Sequence, residues 1–181
     1  MGFLAVLTEV VVVLLALHFA ALGVVVGPEQ LRRALADLPA HLRIAARPIG
    51  ALLVVLVLNS VVRDVGVSVS WIIGVNITDT IYALEGSVVA TIQSAVPLWL
   101  VHYFGYVYVY GYAFLLVFPL AAALFSFERG LLRRTAFAYT INYAVGMTCY
   151  LLFVAYGPRN YMPGLVEPLL FDLLPRFQLL I

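Results

Sequence analysis

The residues best suited to chemistry lie in one octet, 156–163 (Tyr-Gly-Pro-Arg-Asn-Tyr-Met-Pro), which follows a long charge-free apolar run. Arg159 carries a planar guanidinium with five N–H donors, a geometry that suits bidentate contact with a phosphate. Asn160 adds a neutral donor, and Tyr156 and Tyr161 are candidate contacts to a head group. The octet therefore predicts a phosphate-binding site, but it offers no catalytic residue of its own.

Pro158 predicts where this site lies relative to the helix before it. Proline disfavours α-helical backbone at the preceding residue, so we expect that helix to end at Gly157. Arg159 would then emerge at a helix end. The local residues also allow a second interpretation, in which Arg159 only anchors the helix by extending its side chain to lipid phosphates.

The composition predicts an integral membrane protein. Of the 181 residues, 65% are apolar and only 10% are charged, whereas soluble domains carry about 25% charged residues. The net charge of +1 gives no basic surface for nucleic acid. The single Cys149 cannot form an intrachain disulfide, and no spacing of ligand residues predicts a metal. We expect neither metal nor cofactor, and membrane lipids as partners.

Long apolar runs predict the elements that position the octet. They indicate a single membrane domain over residues 1–181, an all-α bundle with about four spanning helices and one or two interfacial helices. The spans are 3–26, 49–62 (opened by Pro48, with a possible continuation toward Ile73), 98–127 and 135–156. The interfacial helices are a basic amphipathic segment within 29–47 and a helix from the capping residues 76–79 to about Ser94.

The distribution of arginine predicts the orientation of the bundle. Segments 29–47 and 128–134 contain Arg32, Arg33, Arg43, Arg47, Arg129, Arg133 and Arg134, most of the arginines in the chain. An even number of spans separates the two segments, so both should face the cytoplasm. A multi-pass protein of the cell membrane is then expected, with its N-terminus and the Arg159 loop on the extracytoplasmic side.

Several short segments resemble the type 2 phosphatidic acid phosphatase superfamily, and most closely its archaeal inositol phosphorylceramide synthase (aureobasidin-resistance) branch. They are residues 138–143 (Ala-Tyr-Thr-Ile-Asn-Tyr) and 155–163 around Arg159, with 76–78, 82–86 and 108–112 upstream. The resemblance extends over residues 70–181. It implies a membrane-embedded helical bundle with an outward-facing site for lipid phosphates or phosphoinositol-type head groups.

The resemblance also implies a mechanism that this sequence matches only in part. In the family an arginine binds phosphate, and a histidine attacks phosphorus to form a phosphohistidine intermediate without a metal. Of the family's functional residues, only the phosphate-binding arginine has a counterpart in this sequence, which is Arg159 with Pro158 before it. His18, His41 and His102 all precede Arg159, and no Pro-Ser-x-His or Ser-Gly-His motif occurs. The implied function is the phosphate-binding N-terminal part of a lipid phosphatase or phosphotransferase, inactive alone.

The end of the sequence and its scattered acids leave further interpretations open. The chain stops about where the family would continue into its second motif, which suggests a truncated or split product with a catalytic half on a separate chain. One alternative is a non-catalytic membrane protein that binds anionic lipid or a partner subunit. Another is a small ion-coupled transporter that uses Glu9, Asp79 or Glu85 as an ion site.

Overall fold

The computed structural model describes residues 3–128, 130–167 and 169, and it is mostly helical. Its elements are α1 (Phe3–Val25), α2 (Pro28–Ile73), β1 (Val75–Asn76), α3 (Thr78–Glu85), α4 (Val88–Ala95), α5 (Leu98–Tyr106), a π-helical turn (Val107–Gly111), α6 (Tyr112–Leu124), α7 (Leu131–Leu152), β2 (Phe153–Val154) and α8 (Pro158–Tyr161). The predicted helical class is confirmed, with a short parallel pair of strands added. Arg129 and the chain ending, 170–181, lie outside the described residues.

Three helical segments are long and apolar enough to cross a membrane: Leu4–Val25, Pro28–Ile73 and Leu98–Leu124. The shortest has 22 residues, which at 1.5 Å per residue covers a hydrocarbon core of about 30 Å. Large side chains on these helices stay exposed, including Val24 at 87% and Ile72 at 83%. A surface this apolar suits lipid better than water, so the fold is compatible with a membrane location.

α2 is one continuous helix of 46 residues, and this corrects the prediction that Pro48 opens a separate span. Pro28 occupies the first turn, but Pro39 and Pro48 lie inside the helix. An internal proline removes one backbone hydrogen bond and costs about 3 kcal/mol in water. Helices in membranes tolerate the loss where neighbouring groups compensate. The continuation past residue 62 as far as Ile73 is confirmed.

α2 and α7 lie side by side and run in the same direction. At one end Ala45 of α2 and Leu132 of α7 belong to one buried cluster. At the other end the Ser70 hydroxyl donates a hydrogen bond of 2.8 Å to the Tyr150 carbonyl. Gly74, the residue after α2, is closely packed. A Cβ added there would lie 2.5 Å from the Ser70 carbonyl oxygen and 3.0 Å from the Leu151 carbonyl oxygen. Small residues therefore bring these backbones together.

α7 ends at Leu152, five residues before the predicted end at Gly157. The cause is a long-range pairing, because Phe153 and Val154 leave the helix to pair with Val75 and Asn76 in a parallel register. The backbone of Gly157 is extended, at φ −64° and ψ 152°, as Pro158 requires. Proline thus acts as predicted on its neighbour, but the helix has already ended.

The single helix predicted from residues 76–79 to Ser94 is instead two short helices, α3 and α4. Gly86 separates them at φ +56°, a backbone region in which side-chain-bearing residues are strained. Asn76 belongs to β1, and its side-chain oxygen accepts the N–H of Thr78 at 3.0 Å, while the N-cap position of α3 is occupied by Ile77.

The tyrosine-rich run from 98 onward is helical, as predicted, and not a strand. α5, the π-helical turn and α6 together form one segment, Leu98–Leu124. It lies beside α1, where Tyr110 donates a hydrogen bond of 2.8 Å to Glu9 and the rings of His18 and Phe114 are 4.9 Å apart. Glu9 therefore bonds to a neighbouring helix.

His41 lies on the side of the bundle away from Arg159, where it donates a hydrogen bond to a carbonyl in the last turn of α6. Its side chain is 2% exposed, and its Nδ1–H donates to the Leu124 carbonyl at 2.9 Å. That carbonyl belongs to the last turn of α6, where carbonyls lack partners in their own helix. Gln30 donates in the same way to Phe125 at 3.2 Å.

We expect His41→Leu to lower the free energy of unfolding by about 1–3 kcal/mol, because a buried carbonyl would lose its donor. Thermal unfolding of the purified protein in detergent measures this. Gln30→Ala removes the longer and less buried bond, so it should lower the unfolding temperature less than His41→Leu. The opposite order would contradict this account of the helix end.

Candidate functional site

A cleft of about 690 Å³ opens beside α8 and contains the two residues predicted to bind phosphate. It is bounded by the end of α4, by α5, by the π-helical turn and by the octet. Its lining residues are Gln93, Val96, Val101, Phe104, Gly105, Tyr108, Gly157, Pro158, Arg159, Asn160, Glu167 and Leu169. The volume is in the range typical of small-molecule and lipid sites.

The cleft combines an apolar wall with a few polar groups. Val96, Val101 and Phe104 give it an aliphatic and aromatic side. Arg159 and Asn160 lie next to each other at its edge and are both exposed. An apolar cavity with a small set of charged and polar groups can hold an amphiphile, with its chain on the wall and its anionic group on the guanidinium.

Backbone hydrogen bonds fix the octet that presents Arg159. The N–H of Tyr156 donates to the hydroxyl of Thr78 at 3.0 Å, and Thr78 is only 4% exposed. The N–H of Asn160 donates to the Gly157 carbonyl at 2.9 Å. The N–H of Met162, which is buried, donates to Pro158 at 2.8 Å. α8 is therefore one turn held at both ends, with Arg159 inside it.

Gln93 is part of the site that sequence reasoning did not assign. Its amide nitrogen donates to the Glu167 carbonyl and its amide oxygen accepts the Glu167 N–H, each at 2.8 Å. This pair fastens the segment after α8 to α4 across the cleft. The one signal in the sequence was an amide residue opposite the apolar face of the segment 88–95.

Tyr156 and Tyr161 face a second, smaller cavity of about 220 Å³ instead of the cleft. The Tyr161 hydroxyl donates to the Asp79 carboxylate at 2.7 Å, and this bond raises the pKa of the Tyr161 phenol. The Tyr156 ring lies 5.9 Å from that of Trp71. Pro158 lines both cavities. The four predicted residues are thus divided between two adjacent spaces.

The three histidines do not line the cleft. His41 caps α6 at the other end of the bundle. His18 and His102 each donate from Nδ1 to a carbonyl one turn earlier in their own helix, at 2.7 Å and 2.9 Å. Among the described residues no group of His, Cys, Asp and Glu is placed to hold a metal. The cleft can bind an anion, but the residues lining it include no histidine to attack a phosphorus atom.

The three acids considered as ion sites, Glu9, Asp79 and Glu85, lie in different surroundings within the fold. Glu9 accepts from Tyr110 between α1 and the π-helical turn. Asp79 accepts from Tyr161, and Glu85 lines the smaller cavity. Among the described residues, these three acids therefore form no cluster of carboxylates that could bind a cation together.

Comparison with known proteins gives no relative for this chain: no protein-family model, curated protein or solved structure matches it.

Proposed function

We propose that this protein is a multi-pass integral membrane protein that binds a lipid phosphate. The phosphate lies on Arg159 and Asn160, and the acyl chains lie along the apolar wall of the cleft. The observation that carries the proposal is this pairing of a guanidinium with an apolar cavity of about 690 Å³, next to helices of membrane-spanning length. The chemistry is recognition of an anion at a membrane surface.

The directions of the helices support the expected orientation. α7 is not among the three described segments that are apolar enough to cross a membrane by composition, but it has 22 residues and packs along α2 in the same direction, and we propose it as the fourth span. The arginines 43 and 47 then share one end of the bundle with Arg133 and Arg134. Arginine-rich ends face the cytoplasm. The cleft with Arg159 lies at the other end and faces outward.

The resemblance of short segments to lipid phosphatases supports the proposal of a reaction class for this activity. In this proposal the chain supplies the phosphate-binding half of a phosphatase or phosphotransferase. The attacking histidine, with the carboxylate that orients it, would come from elsewhere, for example a separate chain. Binding without turnover is the behaviour expected of the residues that line the cleft.

The test uses phosphatidic acid and diacylglycerol with identical acyl chains. We expect the purified protein to bind phosphatidic acid about 10- to 100-fold more tightly, because a charge-assisted hydrogen bond contributes about 1.5–3 kcal/mol. Binding can be measured by native mass spectrometry or by competition with a fluorescent lipid. Equal affinity for the two lipids would contradict the proposal.

The same preparation tests whether the chain acts alone. We expect no inorganic phosphate to be released from phosphatidic acid above the protein-free rate. Phosphate release that persists in the triple variant His18→Ala, His41→Ala, His102→Ala would point to a contaminating phosphatase. Release that requires one of these histidines would show that the inference of inactivity is wrong.

A further inference from the structure

The smaller cavity has a lining that the proposed phosphate site does not explain. We call it the tyrosine pocket and define it by Tyr82, Tyr156, Tyr161 and Glu85. It encloses about 220 Å³, and its other lining residues are aliphatic, small or hydroxyl-bearing. Its three tyrosines come from three parts of the fold, namely α3, the segment after β2 and α8. Their convergence is a product of the tertiary structure.

The rings are held in place by contacts within the protein. The centroids of Tyr82 and Tyr161 are 5.1 Å apart with their planes at 55°, so the rings form a corner and not a stack. The hydrogen bond from Tyr161 to Asp79 fixes one ring. The contact with Trp71 and the backbone bond to Thr78 fix Tyr156. The pocket is thus preformed.

The lining of this pocket favours a cation. The face of an aromatic ring carries a negative quadrupole, and several rings that surround one space attract quaternary ammonium groups. Glu85 adds a carboxylate. No Arg, Lys or His is among the described residues that line the pocket. Donation to Asp79 also leaves the Tyr161 phenol more electron-rich, which strengthens its attraction for a cation.

The pocket and the cleft share a wall. Pro158 lines both, and Arg159 is the next residue. One ligand can therefore place an anion on Arg159 and a cation among the tyrosines if a short linker joins the two. A choline-type phospholipid head group has this arrangement, with a phosphate and a trimethylammonium group joined by an ethylene unit.

We propose that the tyrosine pocket binds the methylated ammonium group of a choline-type head group whose phosphate lies on Arg159. The phosphate end of this assignment rests on the proposed function. The ammonium end rests only on the rings and the carboxylate of the pocket. The ligand class is thereby narrowed from lipid phosphates in general to zwitterionic phosphodiesters.

Phosphatidylcholine and phosphatidylglycerol with the same acyl chains provide the test, because both are phosphodiesters and only the first carries a cation. We expect the protein to bind phosphatidylcholine about fivefold more tightly, as a cation–π contact with exposed rings predicts. Tetramethylammonium should compete with phosphatidylcholine and not with phosphatidylglycerol. Equal binding of the two lipids would overturn the proposal.

Matched variants test whether the tyrosine pocket causes the preference for phosphatidylcholine. Tyr82→Leu and Glu85→Gln should each reduce the preference for phosphatidylcholine severalfold while leaving phosphatidylglycerol binding unchanged. Tyr82→Phe keeps the ring and should keep the preference. Glu85 is exposed, so its variant tests the pocket without disturbing a packed residue. A preference that survives both Tyr82→Leu and Glu85→Gln would overturn the assignment to this pocket.

The two proposals fail in different ways. If phosphatidic acid binds no better than diacylglycerol, the phosphate site is wrong, and competition by tetramethylammonium still supports the tyrosine pocket. If phosphatidic acid binds but phosphatidylcholine gains nothing over phosphatidylglycerol, the tyrosine pocket is wrong and the phosphate site stands. Displacement by free choline as strong as by short-chain phosphatidylcholine would contradict a lipid source for the cation.

Discussion

Arg159→Ala is expected to weaken the binding of phosphatidic acid by about 10- to 100-fold. In the proposed site the Arg159 guanidinium is the charged donor to the phosphate, and a hydrogen bond to a charged group contributes about 1.5–3 kcal/mol. Arg159→Lys should be intermediate, since lysine keeps the charge and loses the planar fork. A titration of detergent-solubilised protein with the lipid measures all three affinities.

Arg133→Ala is the matched control for this prediction. Arg133 is an exposed arginine in the first turn of α7, at the end of the bundle away from the cleft. Its loss should leave the affinity for phosphatidic acid within about twofold of the original, because exposed charges more than a Debye length of about 8 Å away are screened. If Arg133→Ala weakens binding as much as Arg159→Ala, the site assignment fails. If neither variant changes it, Arg159 is only a membrane anchor.

Gly74→Ala is expected to destabilise the bundle by about 1–3 kcal/mol, the usual cost of inserting a methyl group into closely packed surroundings. The new Cβ would lie 2.5 Å from the Ser70 carbonyl oxygen, and 3.0 Å and 3.2 Å from those of Leu151 and Leu152. All three are backbone atoms, so no side chain can rotate away. Thermal unfolding in detergent, followed by loss of the monodisperse species, measures the change.

Two other glycines serve as controls. Gly50 in α2 and Gly146 in α7 have nothing within 4 Å of an added Cβ. Alanine at either should leave stability unchanged or raise it by about 0.5–1 kcal/mol, because glycine is a poor helix former. An unfolding temperature for Gly74→Ala as high as that for Gly50→Ala would show that α2 and α7 do not approach as closely as described.

The prediction for Gly74 also bears on the site. Gly74 precedes β1, and the pairing of β1 with β2 leads directly to Thr78 and Tyr156. A shift at Gly74 should therefore reach the start of the octet. Gly74→Ala is expected to reduce phosphatidic acid affinity as well as stability, whereas His41→Leu at the far end should change stability alone.

Patterns within short segments predicted much of the fold. Apolar runs gave the helices at 3–26 and 98–127 nearly to their observed ends, since hydropathy and length are local properties. Two failures concern helix breaks: Pro48 was interpreted as a break but lies inside α2, and Gly86 was not interpreted as a break but divides the segment 76–94. The helix end at Leu152 depends on Val75, far away in sequence, so local rules at Gly157 could not predict it.

The same distinction applies to the candidate site. Arg159 and Asn160 were recognisable because donor chemistry beside a proline is visible in the sequence. Gln93 escaped notice because its role depends on the backbone of Glu167. The separation of Tyr161 from the cleft follows from its bond to Asp79, a contact between elements that no spacing rule foresees.

The parallel strand pair has one more consequence. Each of its strands follows a long helix and precedes a short one: α2, β1 and α3 in the first case, α7, β2 and α8 in the second. α1 before α2 and α6 before α7 complete two chain paths of the same outline, although the sequence shows no repeat. The tyrosine pocket lies where these two paths meet, because Tyr82 and Glu85 come from α3 and Tyr161 comes from α8. A ligand bound there would therefore hold the ends of the two paths together.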